Sequence, residues 1–298
     1  MKIQGCDCSI VIKTAYREMD VPYSEETLRE AVSLLQEEAA IEGDGVSRAM
    51  RRRGGVTGCI VTPLTIGTAP LLLYLAIGAA VMPVFVSETR SIYRYSLNLL
   101  PMEDTEHFDL VQDRNGINNN EQLKMNSERR LYEGCKVKGF ELRIEREKAI
   151  KLKLDITSEQ APVIYPYQDV FPREKGELFN GNCVKYRING KEYTNIYGLT
   201  LSAKKEGGTR TELWIKRVLE IGHDIPEIID ELTITAQLLR DKYEYQHYGI
   251  FIITVKRLVL TADETTVNSA DTVVGPLRYY VAGTVSADVF TSDGGNIA

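Results

Sequence analysis

The feature that most constrains this chain is a segment without any charged residue, which extends from Gly54 to Ser87. It directly follows the basic triplet Arg51-Arg52-Arg53. Such a segment either crosses a membrane or is buried against protein, which includes other copies of the same chain. These two explanations lead to different functions, so the choice between them comes first.

Three prolines decide against a membrane-spanning helix. A spanning helix needs about 20 consecutive apolar residues, but Pro63, Pro70 and Pro83 interrupt the segment. Only residues 71–82 can form an unbroken helix, which would be about 18 Å long and too short for the hydrocarbon core. The sequence therefore predicts a strand, a turn and a short buried helix within Val56–Gly78.

The charge balance makes the chain a poor nucleic-acid binder. It has 298 residues with 36 Lys and Arg against 42 Asp and Glu, which gives a formal net charge of −6. Tight binding to phosphate backbones depends on an excess of basic side chains. The five cysteines are odd in number and scattered, which is typical of a reducing compartment and argues against a disulfide framework.

Alternation of apolar and polar residues predicts several half-buried strands. The clearest examples are 140–145 and 150–156, where each strand has one apolar face and one densely charged face. Similar patterns predict strands at 91–100, 250–260 and 277–289. A face of mixed charge is expected to meet water.

Two short helices are predicted outside the apolar segment. Ser24 is a candidate N-cap for a helix through Leu35, and a second helix is expected at 237–248. The order of strand, helix and glycine recurs in both halves, which suggests an internal duplication. We therefore expect an all-β-dominated chain, a β-sandwich or partial barrel with one short helix per half. The sequence predicts a first β-domain at 1–160, a proline-rich linker at 161–181 and a second β-domain at 182–298.

No catalytic or metal-binding pattern stands out. The three histidines, His107, His223 and His247, are isolated and have no zinc-ligand spacing. The Glu206–Thr209 segment, EGGT, is a hairpin turn rather than a phosphate-binding loop. The sequence therefore predicts a protein that is not an enzyme and that needs no metal or cofactor.

Several segments, taken in order, resemble those of bacteriophage tail tube proteins. They are YSEETL at 23–28, the strand–helix unit at 56–78, YEGCKVKGF at 132–140 leading into KAIKLKLDI, NGKEYTNI at 189–196 and the final tyrosine-rich strand. The resemblance runs along most of the chain and contains no catalytic signature. The chain departs from the simplest tube proteins in its length and in its proline-rich middle.

This resemblance implies a structural role. In that family a β-sandwich shares strands with neighbouring subunits to close an inner barrel, and the rings stack into a hollow conduit for the genome. The implied partners are other copies of the chain, in trimeric or hexameric rings, the tape-measure protein, and tail terminator and initiator proteins. A sheath protein is left open. DNA would pass without specific binding, no membrane is involved, and the location is the virion tail, assembled in the bacterial host cytoplasm.

The same interpretation assigns candidate surfaces. Residues on the charged faces of the two clearest strands are candidates to line the lumen: Glu141, Arg143, Glu145, Lys151, Lys153 and Asp155. Residues of the basic triplet and of the long polar loop at 113–130 are candidates for ring-to-ring contacts: Arg51, Arg52, Arg53, Arg114, Asn118, Glu121 and Arg129.

Two alternatives stay open at this point. One is the tube component of a contractile injection system or of a gene-transfer agent. The other is a membrane-associated protein that residues 54–87 would anchor.

Overall fold

The computed structural model describes residues 9–15, 17–36, 49–78, 84–87, 92–113, 129–165, 176–218, 224–240, 247–264 and 273–291. These residues form nineteen strands, all paired antiparallel, and one α-helix. The prediction of an all-β-dominated fold is confirmed. The elements are β1 (Ser9–Lys13), β2 (Glu18–Val21), β3 (Glu25–Glu26), β4 (Arg29–Gln36), β5 (Ala49–Pro63), α1 (Ala69–Ile77), β6 (Val84–Ser87), β7 (Ile92–Asn98), β8 (Phe108–Asp113), β9 (Arg129–Glu145), β10 (Lys151–Ser158), β11 (Val163–Ile164), β12 (Val184–Ile188), β13 (Lys191–Tyr193), β14 (Ile196–Lys204), β15 (Arg210–Val218), β16 (Ile228–Arg240), β17 (His247–Asp263), β18 (Val273–Val281) and β19 (Val285–Thr291).

Eleven strands form one long sheet in the order β3-β5-β10-β9-β14-β15-β18-β17-β16-β12-β13. The predicted strands at 140–145 and 150–156 are its β9 and β10, and the predicted hairpin turn joins β14 to β15. Gly207 and Gly208 have φ values of 70° and 111° there, which glycine adopts without strain. The strands therefore follow the alternation in the sequence.

Strand β9 connects this sheet to a smaller one. Its first residues, through Cys135, pair with β8 and β11, while residues from Lys136 onward pair with β10 and β14. Strand β8 pairs in turn with β1, and β1 with β2. Gly134, with φ of 60°, lies at the changeover between the two sets of partners.

Strand β17 forms a second branch point. Residues 249–255 pair with β19, whereas residues 258–263 pair with β18. Strand β19 then pairs with β7, and β7 with β6. Arg257, with φ of 56°, lies at the break, where its carbonyl accepts a hydrogen bond from the Ala282 amide. The pairs β9–β14 and β7–β19 join strands from the two predicted domains.

The inward face of the long sheet is apolar across five strands. Leu152, Leu142, Leu201, Leu213 and Tyr279 are successive partners in the strand registers, and each is at most 1% exposed. Burial of such side chains is worth about 1.5–3 kcal/mol each. This face therefore provides a large share of the driving force for folding.

Helix α1 is buried on all sides. All nine of its residues are buried, and it packs against β7, β9 and β19. At its start the hydroxyls of Thr65 and Thr68 lie 2.9 Å apart, and each accepts a hydrogen bond from the other residue's amide. At its end the Gly78 amide donates to the Tyr74 carbonyl. The predicted strand, turn and buried helix within Val56–Gly78 are therefore confirmed, and no helix among the described residues is long and apolar enough to cross a membrane.

The two other predicted helices are wrong where the structure describes them. Residues 29–36 form β4, whose backbone pairs with β5, and residues 237–240 and 247–248 belong to β16 and β17, which pair with each other. In both cases hydrogen bonds to a distant strand outweigh local helix propensity. Residues 241–246 lie outside the described residues.

The proline-rich segment is anchored at both described ends. Residues 163–164 form β11 against β9, and Phe179 is buried with its amide donating to the Leu64 carbonyl. Residues 166–175 lie outside the described part of the chain. The two-domain division with this segment as its linker stays a prediction.

Candidate functional site: the charged face of the long sheet

The outward face of the long sheet carries one continuous row of side chains. Direct strand partners place nine residues in line across nine strands: Glu25, Val61, Lys153, Glu141, Ser202, Glu212, Tyr280, Val259 and Ile228. Direct partners share a face of the sheet. Charged and polar residues therefore occupy the middle of this face, and three apolar residues occupy one end.

The structure brings the six predicted lumen residues together. Glu141, Arg143 and Glu145 alternate with buried residues along β9, and Lys151, Lys153 and Asp155 do so along β10. Because Lys151 is the direct partner of Arg143, and Lys153 of Glu141, the two sets share one face. The predicted placement on one solvent-facing surface therefore agrees with the strand register, while their role in a lumen stays a prediction.

Each carboxylate in the centre of this face has a basic partner. Glu141 contacts Arg143, and Asp155 lies 3.1 Å from the Lys153 ammonium. Glu145 contacts Lys148 and lies 3.1 Å from Lys216.

Farther along the sheet, Glu212 bridges Arg210 and Arg278 at 3.0 and 2.8 Å. Among the described residues, Lys151 and Lys204 form no ion pair. The face therefore carries mostly paired charges of opposite sign, with a small excess of basic side chains.

Ion pairs change the titration of two carboxyl groups on this face. Hydrogen bonds from Lys148 and then Lys216 hold the pKa of Glu145 below its usual value, and a hydrogen bond from Arg278 does the same for the pKa of Glu212. Both carboxyl groups therefore keep their negative charge, and their internal partners, at neutral pH.

A groove crosses the same face beside the chain's single tryptophan. Its volume is about 350 Å³, and Trp214, Lys216, Glu145 and Pro276 are among its lining residues. The Arg278 guanidinium carbon lies 4.9 Å from the centre of the Trp214 ring, as in a cation–π contact.

This second part of the face was not among the predicted site residues. The alternation of Glu212, Trp214 and Lys216 with buried Leu213 and Ile215 could have revealed it. The strand that carries these residues directly follows the predicted hairpin turn. Both the alternation and its position after the turn could therefore have predicted this strand from the sequence.

The predicted ring-contact residues are not gathered into one surface. Arg51, Arg52 and Arg53 lie in β5, where their backbone pairs with β4. Arg129 begins β9, and its Nε donates to Asp113 at 2.7 Å. Arg114, Asn118 and Glu121 lie outside the described residues.

Exposed apolar side chains also lie on two edge strands outside the long sheet, β6 and β11. Val84, Phe85 and Val86 of β6 are 47–58% exposed, and Ile164 of β11 is 72% exposed. Neither strand has a partner on its second side among the described residues. Unpaired apolar edges are sites where another strand adds, so these edges are candidate contact surfaces.

We compared the chain with models of known protein families and with curated proteins. No family model and no curated protein matches this chain. Within the described residues, no group of three or more His, Cys, Asp or Glu side chains is arranged to hold a metal ion.

Proposed function

We propose that this chain is a structural subunit of the tail tube of a phage or phage-like particle, in which copies form stacked rings around a DNA conduit. The observation that carries the proposal is the long sheet itself. One face of this sheet is apolar and packs against the core, and the opposite face carries ion pairs that face solvent. The ends of the sheet are not closed within one chain.

The open ends support assembly with other copies. A wide sheet with unpaired edges tends to associate, and closure into a barrel removes the edges. Exposed Val84–Val86 and Ile164 add apolar surface on β6 and β11, two further edge strands outside the long sheet. Neighbouring copies are the partners that would cover these edges in a ring.

The charge pattern supports passage of DNA rather than binding of DNA. Affinity for a phosphate backbone depends on basic groups that are free to replace counterions. Here most basic groups in the centre of the face already contact carboxylates, such as Lys153 with Asp155 and Arg278 with Glu212. A lumen lined in this way would neither hold nor strongly repel the polymer.

Negative-stain electron microscopy of the purified full-length chain tests the proposal. We expect hollow rings or tubules, which grow with concentration or on addition of a tail initiator, and the mass of isolated rings would separate trimers from hexamers. A chain that stays monomeric at high concentration would contradict the proposal, and so would a chain that requires detergent.

A double variant tests which way the charged face points. In Lys151→Glu with Lys153→Glu, we expect tubes to form as in the wild type, because side chains on inner strands of a lumen-facing sheet lie away from the neighbouring subunits. Tube yield in electron micrographs is the measurement, with circular dichroism as the check that the variant folds. Loss of tubes by a folded variant would place these two lysines at a contact between subunits.

A further inference from the structure

We infer, on the basis of the proposed function, that neighbouring copies join head to tail through opposite charges at the two ends of the long sheet. The end formed by β3 and the start of β4 is acidic, and the end formed by β12 and β13 is basic. We call them the acidic edge, with Glu25, Glu26 and Glu30, and the basic edge, with Lys185, Arg187 and Lys191.

The acidic edge is built as the last layer of the sheet. The amides of Ser24 and Thr27 donate to the carbonyls of Val61 and Cys59, which fixes the segment along β5. Glu25 is exposed, and Glu26 and Glu30 are half-buried. Arg29 is the single basic residue between positions 23 and 30.

The basic edge lies at the other end. Lys185 and Arg187 point outward from β12 and are exposed, while Tyr186 between them is buried. Lys191 and Glu192 on the following strand are both exposed, so this edge carries three basic side chains and one carboxylate. The Lys191 Nζ lies 5.4 Å from the centre of the Tyr193 ring. No further strand pairs with β13 among the described residues.

The two edges lie ten strand spacings apart along the sheet. With about 4.8 Å between neighbouring strands, the path between them is roughly 48 Å. The acidic edge of one chain repels the acidic edge of another chain and attracts its basic edge. The two basic edges likewise repel each other. Such a contact uses two different surfaces on each subunit, so successive copies form a ring when the rotation closes.

Charge also gives the contact its selectivity. Unpaired sheet edges accept many strands, and charged side chains restrict pairing to a complementary partner. We therefore expect geometry to set the number of copies per ring, and electrostatics to set the order and direction of the copies.

Charge reversal of each edge tests the inference in the full-length chain. The acid-reversed variant carries Glu25→Lys and Glu26→Lys, and the base-reversed variant carries Lys185→Glu and Arg187→Glu. Since each variant alone brings like charges together, we expect about a tenfold or greater loss of ring yield, measured by mass photometry. The combined variant, with both edges reversed, should recover assembly.

Mixing provides a readout that a folding defect cannot imitate. The acid-reversed chain has two basic edges and the base-reversed chain has two acidic ones, so an equimolar mixture should form oligomers in which the two chains alternate. These oligomers close into rings if the number of copies per ring is even. Assembly of the wild type should also weaken as the salt concentration rises.

Glu103→Lys with Asp104→Lys is the matched control. Both residues are exposed in a turn that packs against β9, and this variant changes the net charge by the same amount as the acid-reversed one. It should assemble as the wild type does.

The outcomes separate this inference from the proposed function. Tubes that form equally well from both single variants would overturn the edge contact and leave the tube proposal standing. Single variants that fail alone, in the mixture and in combination would also overturn the edge contact. Charge-dependent rings that never stack would support the edge contact and contradict the tube, whereas a wild-type chain that stays monomeric would overturn both.

Discussion

Lys205 is a buried cation at the end of the helix. It follows strand β14, its side chain is fully buried, and its Nζ donates to the Ile77 carbonyl at 3.3 Å. The end of a helix favours positive charge, but burial dominates and lowers the pKa of Lys205 to about 8. Lys205 therefore bears its charge in the core at neutral pH at a cost to stability.

The pH dependence of stability should report this lysine. Below about pH 8 both folded and unfolded chains hold the proton, and between about pH 8 and the ordinary pKa of 10.5 the unfolded chain alone holds it. The free energy of unfolding should therefore rise with pH across this window, by roughly 3 kcal/mol in total.

Urea unfolding of the wild type and of Lys205→Met at several pH values measures the effect. The contributions of the other titrating groups cancel when the free energies of unfolding of the two proteins are subtracted. The wild type should gain stability relative to the variant as pH rises from 8 to 10. A difference that stays constant with pH would contradict the assignment.

At the scale of elements, helix α1 should be the most sensitive part of the core. Leu72 lies in its middle and is 0% exposed. Leu72→Ala should lower the free energy of unfolding by about 2–5 kcal/mol, because the helix is enclosed and the cavity cannot collapse easily.

Leu178→Ala is the control for this helix prediction, because Leu178 is 49% exposed. Chemical denaturation of both variants provides the comparison. Equal losses would show that the site around Leu72 relaxes after truncation.

The same elements show which features the sequence could predict. Strong alternation identified β9 and β10 with their charged face. The prolines indicated that the apolar helix is short, but it runs from Ala69 to Ile77, includes Pro70 in its first turn and ends at Gly78 rather than at Pro83. The predicted helix at 237–248 failed although Leu232, Ile234, Ala236 and Leu238 continue the two-residue period.

Other features depend on long-range geometry that no local pattern encodes. Residues 29–36 contain good helix formers, but they pair with 49–57. The nine-residue row of the charged face depends on the register of strands far apart in sequence. The branch at β17, where Arg257 interrupts the register, likewise follows from tertiary pairing.

At the scale of the whole molecule, the sheet links the two predicted domains. Strand β14 pairs with β9, and β19 pairs with β7. A fragment of residues 182–298 would expose one side of both β14 and β19. We therefore expect it to be unfolded or aggregated when expressed alone, and the intact chain to unfold in a single transition.

Near-ultraviolet circular dichroism and proton NMR of the fragment provide the measurement. Mixing it with a fragment of residues 1–160 is the matched experiment, since complementation should restore native-like spectra. A fragment that folds cooperatively alone would favour two independent domains instead.

Strand β9 has a mechanical consequence. It is 17 residues long and hydrogen-bonds along its length to β8, β10, β11 and β14. A force applied along this strand would load many hydrogen bonds in shear at the same moment, rather than unzip them one after another. The molecule should therefore resist stretching along β9 far better than peeling at β6, and such resistance would suit the wall of the proposed tube.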